Sequence, residues 1–233
     1  IFGTSAYLGL KRGIKVLADL NLILMFFVMV FILMLGPTIY ILTITTNSLG
    51  LMLDNFFRIS FWTDPIDRAG FPEAWTIFYW AWWIAYAPMM GLFFGRISKG
   101  RTIKQVVVGI TGLGALGTFL FLSIAGAYVL YLEGNGILDA TTIMQQQGMA
   151  PLVAAVINEL PAPTFILTVV LVLSIVFYAT TFDSAAFILA SICTNDLPSD
   201  QEPAAWSRLA WALGLGVMAI GLMVAGGIET IKA

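Results

Sequence analysis

The sequence contains no histidine and a single cysteine, Cys193, and only 10% of its 233 residues are charged. One thiol cannot close an intramolecular disulfide, and without His or Cys clusters the usual zinc and haem ligand sets are missing. The absence of histidine also removes the side chain that most often relays protons near neutral pH. Soluble domains carry roughly 25% charged residues. The low charge here, with 60% hydrophobic residues and a mean hydropathy of +0.94, places the chain in lipid. A net charge of −2 without any long basic run excludes a nucleic-acid surface. The N-terminus, Ile1-Phe2-Gly3-Thr4, has no initiator Met, charged n-region or cleavage site. It does not read as a signal peptide, and the chain is expected to be a piece of a longer one.

What the sequence does have is hydrophobic length. Five runs reach the roughly 20 apolar residues that a helix needs to cross a bilayer: about 17–45, 73–95, 106–132, 165–192 and 206–225. The expectation is therefore an all-α integral membrane protein, read as one transmembrane domain over 1–233. In the first run, Gly36-Pro37 is expected to kink or locally open the helix, because proline removes a backbone donor. Residues 48–59 set Leu49, Leu51, Met52, Leu53, Phe56 and Phe57 against Asp54 and Arg58, the pattern of an amphipathic helix lying along the interface. The third run carries Gly109, Gly112, Gly114, Gly117 and Gly126, which predicts close helix contacts. Residues 140–162 are expected to form one or two short helices, as a lid over the pathway or as a plain connector.

Charge sets the orientation. Arg96, Lys99, Arg101 and Lys104 form the densest basic cluster, so their short loop is expected on the cytoplasmic side. Two spans away, Lys11, Arg12 and Lys15 fall on the same side. The segment with Glu133, Asp139 and Glu159 has no Lys or Arg and is expected outside. The loop with Asp196, Asp200 and Glu202 returns to the cytoplasmic side.

The second run is the most distinctive. No charged residue lies between Glu73 and Arg96. At about 100° per residue, Trp75, Tyr79, Trp82, Trp83, Tyr86 and Met90 share roughly one quadrant of a helix. Indole and phenol rings prefer the headgroup level, so a stripe this deep points to protein or ligand. Packing with an interfacial belt is one reading. An aromatic box for a quaternary ammonium, held by cation–π attraction, is the other, and periodicity does not choose between them.

In the fourth run, Asp183 is a carboxylate within the membrane, where charge is costly and marks a functional position. Thr180, Thr181 and Ser184 share roughly one face with Phe177. Such hydroxyls can bond back to the carbonyl one turn earlier, or they can supply hard oxygen ligands to a sodium ion. No pair of ionisable groups within the spans can serve as acid and base, so an enzyme is not expected.

The run Trp75-Thr76-Ile77-Phe78-Tyr79-Trp80-Ala81-Trp82-Trp83, followed by Arg96-Ile97-Ser98-Lys99-Gly100-Arg101-Thr102, resembles the signature of the betaine/choline/carnitine transporters. The pattern Phe177-x-x-Thr180-Thr181-x-Asp183-Ser184 is similar to the stretch that ligates sodium in the sodium-coupled members. The resemblance implies a partial inverted-repeat secondary transporter fold of the LeuT type. The chain would cover the last span of the first repeat and most of the second, without the Gly-rich unwound helix of the opposite wall. It implies import of a quaternary-ammonium or sulfonium compatible solute, such as betaine, choline or carnitine, by sodium symport. It also implies a homotrimer in the inner (plasma) membrane, with no cofactor beyond the coupling ion. Carried over position by position, Trp82, Trp83, Tyr86 and Met90 would bind substrate. The Phe177 carbonyl and the Thr180 and Thr181 hydroxyls would bind sodium, with Asp183 and Ser184 in the surrounding network.

Three positions depart from the pattern. Ala74 replaces a small polar residue or Gly. Tyr86 stands where glycine-betaine members commonly have a third Trp, and Met90 where a small apolar residue is frequent. The last two look more like the carnitine-type branch, which is sodium-independent and lacks the paired hydroxyls. Sodium-independent exchange, proton coupling and a non-transporting sensor that binds the same ligands are the alternatives.

Overall fold

Lipid offers the backbone no hydrogen-bond partner, so a spanning segment must satisfy its amides within itself. The described residues form helices joined by turns and short irregular stretches, with no strand among them. The computed structural model describes Gly3, Thr4, Tyr7, 13–198 and 201–225. Lys11, Arg12 and Asp200, assigned above to the cytoplasmic side, lie outside the described residues. In chain order the helices are α1 (Lys15–Leu35), α2 (Thr38–Asp54), α3 (Phe56–Ser60), α4 (Pro72–Ile97), α5 (Ile103–Gly134), α6 (Ala140–Gln147), α7 (Met149–Asn158), α8 (Pro163–Ile192) and α9 (Ala205–Val224). Five of them, α1, α4, α5, α8 and α9, are long and apolar enough to cross a membrane.

Where one span over 17–45 is expected, the chain breaks completely at Gly36-Pro37 and restarts as α2. Pro37 has no N–H for the Leu33 carbonyl one turn back. Thr38 Oγ1 donates to that carbonyl instead, at 2.6 Å. The helix expected over 48–59 is not a separate element. Its first half completes α2, because nothing in Thr38–Asp54 interrupts a helix, and Asn55 then turns the chain into the single turn of α3. A Cβ added at Gly36 would lie 2.5 Å from the Ile32 carbonyl oxygen and 3.5 Å from Tyr128 Cδ2. Since a backbone atom is in the way, Gly36→Ala is expected to destabilise the protein by about 1–3 kcal/mol. A lowered thermal midpoint in detergent checks this, and an unchanged midpoint contradicts it.

The described residues fall into two compact units. One takes those of Met25–Ala87 and Gly100–Val170. Its core joins Ile41 of α2, Tyr128 and Leu132 of α5, Ile157 of α7, Leu160, and Ile166 of α8. Tyr40 meets Tyr131 edge to face, with ring centroids 5.3 Å apart. Lipid tails are as apolar as these side chains, so inside the bilayer such contacts are stabilised by packing rather than by release of water. The 140–162 segment is anchored to this core through Ile157 and Leu160.

The ends of α6 are set by single residues. Asp139 Oδ1 accepts from the Thr142 amide at 2.9 Å, and Gly148, at φ 89°, separates α6 from α7 in a conformation that side-chain-bearing residues avoid. The backbone bond from Thr142 holds the Asp139 carboxyl below its usual pKa. A depressed folded pKa means that the cap's contribution is present above the ordinary aspartate value and is lost as pH falls through the lowered one. Hydrogen exchange in 140–147, corrected for intrinsic rate, is therefore expected to accelerate on acidification through that range. Asp139→Asn should remove the acceleration, and a pH-independent rate in the parent protein contradicts the reading.

The other unit takes the described residues of Ile1–Leu24, Pro88–Lys99 and Leu171–Ala233. Ala186 of α8 and Ala212 of α9 are fully buried together, with Trp211 and Leu215 packed around them. Small residues at this crossing let the helices approach closely. Buried Arg208 pairs with Glu202 and donates to the Tyr7 carbonyl at 2.9 Å, while Arg96 Nη1 donates to the Gln201 carbonyl at 3.2 Å. These contacts hold the α8–α9 connection.

The glycines of α5 do not behave as expected. A Cβ added at Gly109, Gly112, Gly114, Gly117 or Gly126 would meet nothing within 4 Å. Glycine permits close approach but supplies no partner, and among the described residues these positions face open space.

Candidate functional site

The aromatic helix begins with Pro72, where a missing N–H costs nothing in the first turn. Its opening stretch, Pro72–Ile77, is wound as a wider π-helix before the regular helix of Phe78–Ile97. Pro88 lies inside that helix and leaves the Ile84 carbonyl without its usual donor.

The rings order one another along the helix. Trp75 stacks on Tyr79, with centroids 6.0 Å apart and planes 18° from parallel. Trp82 meets Phe78 edge to face at 5.7 Å. Trp82 and Trp83 are 50% and 62% exposed among the described residues, so their faces are available for a further partner.

Trp83 is the ring of α4 that lines two recesses. It lines an open groove of about 930 Å³ whose other walls are α2, through Thr45 and Ser48, and α5, through Thr111, Thr118 and Ser123. The rest of the lining is apolar or glycine, and the Thr45 hydroxyl oxygen is buried with no partner among the described residues. Trp83 also lines a second recess of about 560 Å³ with Trp75, Tyr79 and Trp80. Trp82 and half-buried Tyr86 line neither, and Met90 is half-buried in the other compact unit. Of the residues that periodicity places on one stripe, Trp75, Tyr79 and Trp83 line these recesses.

Nothing in the linear pattern singles out the hydroxyls of the Trp83 groove. They come from two helices, so no single helical period contains them. The one available signal is the seven-residue spacing of Thr111 and Thr118.

The oxygen cluster of α8 is compact. Thr180 Oγ1 and Thr181 Oγ1 both donate to the Phe177 carbonyl, at 2.8 and 3.2 Å, and Ser184 Oγ donates to the Thr180 carbonyl at 2.9 Å. This is the back-bonding arrangement expected of hydroxyls on a membrane helix. It also gathers one carbonyl and two hydroxyl oxygens, a hard donor set in kind suited to sodium. Both hydroxyl protons point at the same carbonyl, so a cation bound there would replace them as the carbonyl's partner. Asp183 is completely buried beside this cluster.

The family model described as "BCCT, betaine/carnitine/choline family transporter" matches residues 1–233. Over all 233 residues the chain is 32% identical to an Acinetobacter baumannii protein named "Carnitine transporter", covering 42% of that protein. It is 30% identical over the same length to the Escherichia coli (strain K12) protein named "Uncharacterized transporter YeaV", covering 48% of it. The chain therefore spans less than half the length of these relatives.

Proposed function

Since the chain belongs to the betaine/carnitine/choline transporter family, we propose that it is part of a sodium-coupled secondary transporter that imports a small quaternary-ammonium or sulfonium solute. The observation that carries this reading is the aromatic helix: several indole faces within one family-matched span, one of them lining a groove. A trimethylammonium group cannot donate hydrogen bonds, so recognition falls to its diffuse charge and methyl surface. Ring faces supply both, at about 0.5–1 kcal/mol when exposed and about 2 kcal/mol or more when desolvated.

In this reading Trp82, Trp83 and Tyr86 hold the onium head, and Met90 contributes a polarisable thioether one helical turn beyond Tyr86. Sodium binds the Phe177 carbonyl with the Thr180 and Thr181 hydroxyls, while buried Asp183 and Ser184 order the helix around them. The sodium-loaded protein then favours one of two alternating-access states, which couples the ion gradient to uptake. The homotrimer and the plasma-membrane location belong to the same proposal. The carnitine type is favoured within the substrate class by Tyr86, by Met90 and by the name of the Acinetobacter baumannii relative.

One observation supports a second reading. Both threonine hydroxyls are already engaged by the Phe177 carbonyl, an arrangement that needs no ion and suits sodium-independent exchange. The test is uptake of labelled carnitine and betaine into proteoliposomes holding the full-length protein. Symport predicts accumulation driven by an inward sodium gradient into empty vesicles. Uptake that requires internal substrate and ignores sodium supports exchange, and binding without accumulation overturns transport in favour of a sensor.

A further inference from the structure

We propose that the hydroxyls of the Trp83 groove bind the carboxylate end of the transported solute, so that the site selects onium solutes carrying a carboxylate, such as carnitine or betaine, over choline. This inference rests on the aromatic reading above and extends it to the other end of the ligand. The groove lies within one compact unit and takes its walls from three helices, with Trp83 on α4, Thr45 and Ser48 on α2, and Thr111, Thr118 and Ser123 on α5.

These hydroxyls differ from others in the chain in one respect. On α2, Thr43 and Thr46 donate to the Ile39 and Leu42 carbonyls, each at 2.8 Å. On α8, Thr168 and Ser191 donate in the same way to the Thr164 and Phe187 carbonyls, also at 2.8 Å. Such back-bonding is how a hydroxyl on a membrane helix satisfies itself when nothing else is offered. Thr45 and Ser48 share a helix with Thr43 and Thr46, yet neither makes a hydrogen bond to a described residue, and nor do Thr111, Thr118 and Ser123. The Thr45 hydroxyl oxygen is also buried. Buried polar groups are hydrogen-bonded in folded proteins, so the groove is built for an occupant that brings hydrogen-bonding atoms. A lipid chain or an apolar helix face brings none.

The charge of the occupant follows from the lining. No charged side chain lines the groove, so a simple anion would enter without a counter-charge. A zwitterion carries its own: the onium head lies against the Trp83 face, and the hydroxyls donate to the carboxylate oxygens. The groove's volume of about 930 Å³ falls within the roughly 300–1,000 Å³ of small-molecule sites, which leaves room for the tail as well as the head. Choline ends in a neutral hydroxyl, which gains less from the same donors than a carboxylate does.

The experiment measures binding of carnitine and of tetramethylammonium, the onium head alone, to the purified full-length protein by calorimetry. A hydrogen bond to a charged group corresponds to about tenfold or more in affinity. Thr45→Val with Thr118→Val is therefore expected to weaken carnitine by about a hundredfold and to leave tetramethylammonium unchanged. The ligand-free thermal midpoint should not fall, since neither hydroxyl has a protein partner to lose. Thr45→Ser with Thr118→Ser should restore carnitine binding, and Thr46→Val, which removes a back-bonded hydroxyl of the same helix, should alter neither ligand. Carnitine affinity unchanged in the valine pair, with both ligands still dependent on Trp83, overturns the inference and leaves the aromatic reading standing. Equal weakening of the two ligands overturns it as well, by assigning the hydroxyls to the shape of the site. Tetramethylammonium binding that is indifferent to Trp83→Ala overturns the aromatic reading itself, and this inference with it.

Discussion

Trp83→Ala in the full-length protein is expected to abolish measurable uptake of labelled carnitine or betaine at substrate concentrations that saturate the parent. Trp83 is the one residue of the aromatic stripe that faces the large groove, with Thr45 and Ser48 across from it. A desolvated ring face contributes about 2 kcal/mol or more to a bound onium group, which converts to about thirtyfold in affinity. Removing an indole from a groove wall also opens the site to water, which weakens what the remaining rings contribute. Trp83→Phe keeps an aromatic face with a weaker field and should retain partial uptake with a raised KM. Trp80→Ala removes a ring of similar size that lies off the stripe and away from the large groove, and it should leave uptake near the parent level. Equal losses for the Trp80 and Trp83 variants would assign the rings to packing.

The second large effect concerns the ion. Thr180→Ala and Thr181→Ala each remove one oxygen from the cluster around the Phe177 carbonyl. Hydrogen-bond-like contacts to a charge contribute about 1.5–3 kcal/mol, so each variant is expected to raise the sodium concentration for half-maximal uptake by at least about tenfold. Thr181→Ser restores the hydroxyl without the methyl and should recover most of the sodium response, whereas a merely steric role would not be rescued by it. Titration of uptake against external sodium at fixed substrate gives the result. A sodium response unchanged in both alanine variants would remove the ion from this cluster and leave its hydroxyls as helix back-bonds.

Much of the architecture is legible in the amino-acid sequence because membrane spans are written in long uncharged runs. The absence of charge between Glu73 and Arg96, and the basic residues that follow, mark α4 and the loop after it without ambiguity. What is not legible depends on partners. Gly36-Pro37 announces a disturbance, yet sequence does not say that Thr38 would take up the Leu33 carbonyl and allow a new helix to run on to Asp54. That continuation absorbs half of the helix expected at the interface. The glycines of α5 mislead for a related reason, since they state what is sterically allowed rather than what is adjacent. At the candidate site, the stripe from Trp75 to Met90 follows from spacing alone. That Trp82 meets Phe78 follows from helical spacing, whereas that Trp83 shares a groove with hydroxyls of α2 and α5 follows from how separate helices pack, which no single-helix period encodes.

The most direct measurement of the central claim compares two ligands that differ only in charge. Carnitine carries a trimethylammonium group, and replacing its nitrogen by carbon gives an analogue of nearly the same shape that keeps the carboxylate but has an uncharged tert-butyl head. Binding of each to the purified full-length protein can be followed by quenching of tryptophan fluorescence. The account predicts that the onium ligand binds at least about thirtyfold more tightly than its carbon isostere, and that this difference collapses in Trp83→Ala. Equal affinity for the two ligands, or a charge preference that persists without Trp83, would contradict it.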